Sequence, residues 1–161
     1  MTIDSEFIRA FKSDDLERIA EIYDLSHPMA FMGELTEFSH KCLMDNPTSL
    51  GTFYDSDVFV FDEAGIKGFV VYKGGIIIWL YIDPEYQRQK IGRRLIEFVM
   101  RRLSMIVGIL VLKSNQPALS LYSDLGFKVL DEFEFDYQGE LLTALSLVSE
   151  TALQFINKPQ R

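Results

Sequence analysis

Between Ile76 and Arg102 the sequence reads IIIWLYIDPEYQRQKIGRRLIEFVMRR, and six cations (Arg88, Lys90, Arg93, Arg94, Arg101, Arg102) fall within fifteen residues. The chain has formal charge −8, from 16 basic and 24 acidic residues, so this segment inverts the charge locally. The apolar run Ile76–Ile82 stops at Asp83-Pro84, and Ile91, Leu95, Phe98, Val99 and Leu103 then recur on one helical stripe. That pattern predicts a strand, a turn over Gln87–Gly92, and a helix starting near Ile91. A helix N-terminus offers unpaired N–H groups and the positive end of a dipole, which attract phosphate. Cations crowded at that end predict a bound anionic ligand carrying a pyrophosphate.

Asp83-Pro84-Glu85-Tyr86-Gln87-Arg88-Gln89-Lys90-Ile91-Gly92-Arg93-Arg94-Leu95 resembles the acyl-CoA-binding turn of the GNAT acetyltransferases. That pattern is Gln or Arg, two residues, Gly, one residue, then Gly or Ala. Asn115-Gln116-Pro117-Ala118, then Tyr122, then Gly126-Phe127 is similar to the family's second signature, and the resemblance extends over roughly 57–148. It implies that Gln87 and the amides of Arg88, Gln89, Lys90, Ile91, Gly92 and Arg93 face the pyrophosphate, with Arg88 and Arg93 or Arg94 near the nucleotide. One position departs: the pattern's first glycine, which lets the main chain approach phosphate without a Cβ, is Lys90 here.

The resemblance also implies that the strand Ile76–Ile82 splays from the strand Ile106–Leu112, so that the pantetheine arm bonds to main chain freed at Leu80, Tyr81 and Ile82. A nearby N–H would polarise the thioester carbonyl. It implies catalysis by Tyr122, because a phenol with an ordinary pKa of about 10 can hand a proton to a departing thiolate whose parent thiol lies near about 8.5. The competing reading makes Tyr122 a packing residue beside Leu119 and Leu125. Asn115 is expected to order its strand-to-helix junction or to touch CoA. Positions where the family often carries a general base hold Ile76, Ile78 and Leu110, which leaves ordered water or a carboxylate from Glu34, Glu37, Glu132 or Glu134. His27 and His40 read as structural or exposed. Two separated histidines and the single Cys42 give no metal-ligand spacing, so no metal is expected. Cys42 has no base partner in the sequence and does not support a covalent intermediate.

The elements that must position these groups follow from patterning. Strands are predicted at Glu6–Lys12, Asp57–Phe61, Ile66–Lys73, Ile76–Ile82, Ile106–Leu112, Phe127–Tyr137 and Glu140–Val148. Turns fall at 62–65, Gly74-Gly75 and Gln138-Gly139. Helices are predicted at Asp14–Leu25 with Ser13 as cap, near Glu34–Met44, from Ile91, and at Gln116–Asp124 with Gly126 as a left-handed cap. Asn46-Pro47 and Gly51 read as a loop. The order predicts an α+β fold, implied by the resemblance to be a mixed, mostly antiparallel twisted sheet flanked by helices with splayed central strands. Residues 1–150 read as one acyl-CoA N-acyltransferase domain and 151–161 as a tail.

Hydrophobic residues make up 48% and charged residues 25%, an ordinary globular balance. No apolar run approaches the roughly 20 residues that span a bilayer, the N-terminus has no secretory pattern, and the lone cysteine forms no internal disulfide. These features predict a cytoplasmic protein without a membrane partner, and the acidity opposes nucleic-acid binding. Phe31, Met32, Trp79, Tyr81, Phe133 and Phe135 read as core or as the wall of an acceptor pocket. The expected activity is direct transfer of acetyl from acetyl-CoA, as co-substrate, to the primary amine of a small molecule or peptide. A catalytically silent acyl-CoA module and a modifier of protein N-termini or lysines remain as alternatives. The C-terminal hairpin offers an edge for a homodimer.

Overall fold

The computed structural model describes residues 6–31, 39–103 and 107–149. Among the described residues seven strands form one sheet: β1 (Ile8–Ala10), β2 (Asp57–Asp62), β3 (Ile66–Lys73), β4 (Ile76–Ile82), β5 (Gly108–Leu112), β6 (Phe127–Tyr137) and β7 (Glu140–Ser149). Their order across the sheet is β1-β2-β3-β4-β5-β7-β6, antiparallel except for β4 with β5. Helices α1 (Leu16–Ser26), α2 (Pro47–Tyr54), α3 (Ile91–Leu103) and α4 (Gln116–Asp124) flank it, which is the mixed α+β architecture the sequence predicts. No helix among the described residues is long and apolar enough to cross a membrane.

The two sides of the sheet bury separate cores. Ile91, Leu95, Ile96 and Val99 of α3 pack with Tyr122 and Phe127 against Phe59, Val70, Tyr72, Ile77 and Ile109. On the other side Ile19, Ile22 and Tyr23 of α1 meet Phe53, Val58, Val60, Phe69 and Val71. Near-continuous apolar runs in β2 and β3 result, because both faces of these strands are covered. Gly68 lies where a Cβ would come within 2.6 Å of the Ile82 side chain and 3.1 Å of the Tyr81 carbonyl, so a side chain there would displace the Ile82 methyl and press on the β4 backbone.

β4 and β5 pair only at Ile76↔Gly108 and Ile77↔Ile109. Across β3, Val71 faces Trp79 and Tyr72 faces Ile77, leaving Ile78 as an extra residue in β4. A bulge of this kind bends its strand, and it falls where β4 leaves β5. The central splay thus has a local cause.

Several elements differ from their sequence readings. Asn46-Pro47 opens α2 rather than a loop: the Asn46 side chain accepts from the Ser49 N–H at 3.2 Å and Pro47 occupies the first turn, where its missing N–H is harmless. Of the helix expected near Glu34–Met44, residues 32–38 lie outside the described residues. Residues 39–42 are irregular, and Leu43–Asp45 forms a single turn. Ser13 does not cap α1; it begins a short turn (Ser13–Asp15) closed by Asp15, whose carboxylate accepts from the Lys12 N–H at 2.8 Å. The tail 151–161 lies outside the described residues.

Candidate active site

The turn after β4 is anchored before it reaches the helix. Asp83 is buried; its carboxylate accepts from the Glu85 N–H at 2.9 Å and from Arg18 of α1. Beyond it, Arg88 and Lys90 adopt left-handed backbone, φ 66° and 63°, while Gln89 between them does not. Alternating handedness of this kind turns successive N–H groups to one side, a geometry suited to anions. Left-handed backbone at residue 90 also explains why glycine is the easier residue there. Lys90 reaches that conformation at a conformational cost.

A cavity of about 610 Å³ opens over this turn. Its wall includes Leu80, Tyr81, Ile82, Gln87, Arg88, Lys90, Ile91, Gly92, Arg93, Asn115 and Tyr122. A Cβ built on Gly92 would point between the Leu80 and Leu121 side chains, 3.6 Å from each, so glycine widens the passage between β4 and α4. Two sequence-predicted residues stay outside. Gln89 is exposed and absent from the wall. Arg94 turns to the opposite side, stacking on Phe61 and Phe7 and donating to the Glu6 carbonyl. Its place in the first turn of α3, one residue past Arg93, rotates it toward β1 and β2.

A second recess of about 230 Å³ adjoins the first. His27, Phe31, Ile78, Trp79, Leu80, Tyr81, Leu110, Asn115, Ala118 and Tyr122 line it. Asn115, Leu80, Tyr81 and Tyr122 therefore border both spaces. Asn115 caps α4, accepting from the Ala118 N–H at 3.3 Å. Tyr122 is 6% exposed and packs on Phe127. Burial alone pushes its phenol well above the usual tyrosine value, so it keeps its proton at neutral pH.

Sequence reasoning missed His27. Its Nδ1 lies 2.8 Å from the Tyr81 hydroxyl, and its ring stacks on Tyr23 at 4.7 Å. Burial, with help from His40 and against the attraction of Asp24, pulls its pKa down to about 4, so the imidazole is neutral at pH 7. His27 and Tyr81 are 54 residues apart, and no local pattern announces the pair.

The carboxylates considered for the base do not converge here. Glu132 and Glu134 are exposed, Glu132 against Lys113, and Glu34 and Glu37 lie outside the described residues. Phe31 and Trp79 stand at the recess, Phe133 is on the surface, and Met32 lies outside the described residues. Ser26 Oγ donates to the Ile82 carbonyl at 2.9 Å, so one of the three β4 residues has its acceptor engaged.

Elsewhere, Asp24, His40 and Cys42 bring one ligand-type atom each within 4.8 Å of one another, a grouping that their spacing in the sequence does not suggest. Asp24 Oδ1 already accepts from the Leu43 N–H at 2.9 Å and contacts His40 Nε2 at 3.1 Å. These bonds account for the group as a tie between α1 and the segment after residue 39.

Comparison with known proteins agrees with this fold. Residues 54–129 match the model of the acetyltransferase (GNAT) domain. The chain is 28% identical over 150 residues to a Salmonella typhimurium protein named peptidyl-lysine N-acetyltransferase YjaB, covering 88% of this chain and 96% of that one. A GCN5-related N-acetyltransferase from Rhodopseudomonas palustris superposes with TM-score 0.73 at 17% identity, over 92% of this chain and 98% of its own. A GNAT superfamily phosphinothricin acetyltransferase from Sinorhizobium meliloti, solved with acetyl-CoA, gives 0.69 at 15% identity, over 96% and 92%. The segment 54–129 thus matches the acetyltransferase (GNAT) domain model, and the fold is the one these solved N-acetyltransferases share.

Proposed function

We propose that this protein transfers acetyl from acetyl-CoA to a primary amine by direct attack, with a lysine side chain as the acceptor. The observation that carries this reading is the shared wall: Tyr122 and Asn115 border both the cavity over the cationic turn and the aromatic recess beside it. A donor in one space and an acceptor in the other would meet at Tyr122.

Acetyl-CoA supplies an activated thioester when bound. The residues present suit it: a turn rich in cations for the pyrophosphate, glycine at position 92 widening the passage, and a β4 edge released from β5. Gln87, Arg88, Lys90 and Arg93 would hold the nucleotide end, and the main chain at Leu80, Tyr81 and Ile82 the pantetheine arm. Tyr122 would protonate the leaving sulfur. The recess wall carries no carboxylate among the described residues, so it would favour an amine at the end of an apolar stem over a polyamine. Lysine has such a stem, and the relative's name, peptidyl-lysine N-acetyltransferase, supports the choice.

A free small amine is the second acceptor class. Phe31 stacks on Tyr137 at 4.7 Å, and Ser39 exchanges two hydrogen bonds with Gln138, so the tip of the β6–β7 hairpin is pinned over the flank of the recess. Mass spectrometry of lysine peptides and of small monoamines incubated with acetyl-CoA and the protein tests both readings. Acetyl-lysine in the peptide is the expected result. Consumption of acetyl-CoA with small amines alone would reverse the order, and no transfer to any amine would remove the proposal.

A further inference from the structure

Acyl transfer to an amine requires that the nitrogen lose a proton, and the described wall of the recess contains no carboxylate to receive it. It does contain a hydrogen-bonded phenol and imidazole. We propose that Tyr81 and His27 form the proton path out of the acceptor amine, with Tyr81 as the catalytic group that touches the amine and His27 as the positioning residue behind it. This rests on the reading of the site as an N-acetyltransferase.

The geometry supports the assignment from three sides. Tyr81 borders both cavities, as Tyr122 does, and its ring packs among Tyr23, Phe69 and Trp79 on the α1 side of the sheet. Its hydroxyl is 2.8 Å from His27 Nδ1, a distance at which a proton passes along an existing hydrogen bond. His27 itself is held, stacked on Tyr23 at 4.7 Å and edge-on to Phe31 at 5.2 Å. Its backbone N–H closes α1 on the Tyr23 carbonyl. Neutral at pH 7, the imidazole presents the Nδ1 lone pair to the phenol in the tautomer that carries its proton on Nε2, which is the form the relay uses. A nitrogen that holds a proton weakly returns it readily, which suits a relay.

The protons balance as follows. As the amine nitrogen bonds to the acetyl carbon, Tyr81 Oη takes the proton that nitrogen sheds and passes its own to His27 Nδ1. As the carbon–sulfur bond breaks, Tyr122 protonates the sulfur. The imidazolium proton then returns through solvent to the Tyr122 phenolate, and both groups are reset. No oxidant, metal or further reactant enters.

The test compares Tyr81→Phe and His27→Asn with the unaltered protein on two acceptors. One is a lysine peptide, whose nitrogen is strongly basic. The other is methoxyamine, whose nitrogen gives its proton to water unaided once it has attacked. Tyr81→Phe keeps the ring. In His27→Asn the introduced amide oxygen can still accept from the Tyr81 hydroxyl while being unable to carry the proton. Both variants should lose a factor of about 10² to 10⁴ in kcat/KM for the peptide, much less for methoxyamine, and bind acetyl-CoA with unchanged affinity. Equal losses on both acceptors, or normal turnover of the peptide, would overturn the proton path while leaving the acetyltransferase reading intact. If Tyr81→Phe does not fold, the acceptor comparison in His27→Asn decides alone. Failure of the unaltered protein to acetylate either amine would remove both readings.

Discussion

Arg18 of α1 donates to the Ile66 carbonyl of β3 at 3.0 Å and to the buried carboxylate of Asp83, the residue that ends β4. One guanidinium thereby ties the first helix and the third strand to the start of the cationic turn. The position of that turn depends on α1, some 65 residues earlier in the chain.

Removing Arg18 should therefore loosen a site it does not line. In Arg18→Ala the Asp83 carboxylate would be left buried with only the Glu85 N–H, a loss on the order of 3 kcal/mol in stability. Urea unfolding measures the loss, and a weaker thermal response to CoA in the surviving folded protein would report the loosened turn.

Asp83 also sets an acid limit. Burial works to raise its pKa, but the Glu85 N–H and Arg18 outweigh burial and hold it below the ordinary carboxylate value. Asp15 is held low mainly by the hydrogen bonds of Arg9, against burial. A group whose pKa is lowered by folding adds stability that is complete above its unfolded value, about 3.9 for Asp, and is lost as pH falls from there through the folded value. Thermal melts from pH 7 to pH 2 should show this loss, and Asp83→Asn should flatten it.

Acetyl-CoA should raise the melting temperature. At about 100 times Kd a ligand of the native state adds roughly 2.7 kcal/mol. For a domain of this size that corresponds to a shift of about 5–10 °C by differential scanning fluorimetry. No shift at saturating CoA would mean that the cavity over the turn does not receive it.

Gly92→Ala should separate fold from ligand. The added Cβ meets only ordinary contacts at 3.6 Å, and alanine favours a helix over glycine by about 1 kcal/mol, so the unliganded protein should melt no lower. The same methyl narrows the passage between Leu80 and Leu121, and the CoA-dependent shift should shrink. Lys90→Gly should also spare the fold, by a different route, relieving a left-handed lysine by up to about 1 kcal/mol.

Tyr122→Phe should retain the fold, because the ring still packs on Phe127 and the pKa of the phenol is moved by burial alone, without a hydrogen bond. Acetyl transfer should fall by a factor of about 10² to 10⁴ while CoA binding holds. Turnover at the normal rate would make Tyr122 a packing residue.

Local interactions made much of this legible in advance. Strand, turn and helix around Asp83-Pro84, the hairpin at Gln138-Gly139 and the cap at Asn115 depend on residues within a few positions of one another, and hydrophobic period, proline and glycine report such interactions directly. Even the misread α2 carried its signal, since Asn46 before Pro47 is a cap before a first-turn proline. The two motifs, read as a resemblance, pointed to the acetyltransferase family whose domain model matches residues 54–129.

Contacts between distant residues were decided only by the tertiary structure. The bulge at Ile78 depends on the register of β3 against β4, and the splay beside it depends on β5. Arg94 is adjacent to Arg93 in sequence yet stacks on Phe61, because one step along a helix rotates a side chain by about 100°. His27 meets Tyr81 only because α1 lies across the sheet with its last turn above β4. The sequence contains each of these residues, but their separation, direction and desolvation arise only when the chain closes on itself. Those are the quantities that keep the proton on Tyr122 and hold His27 neutral.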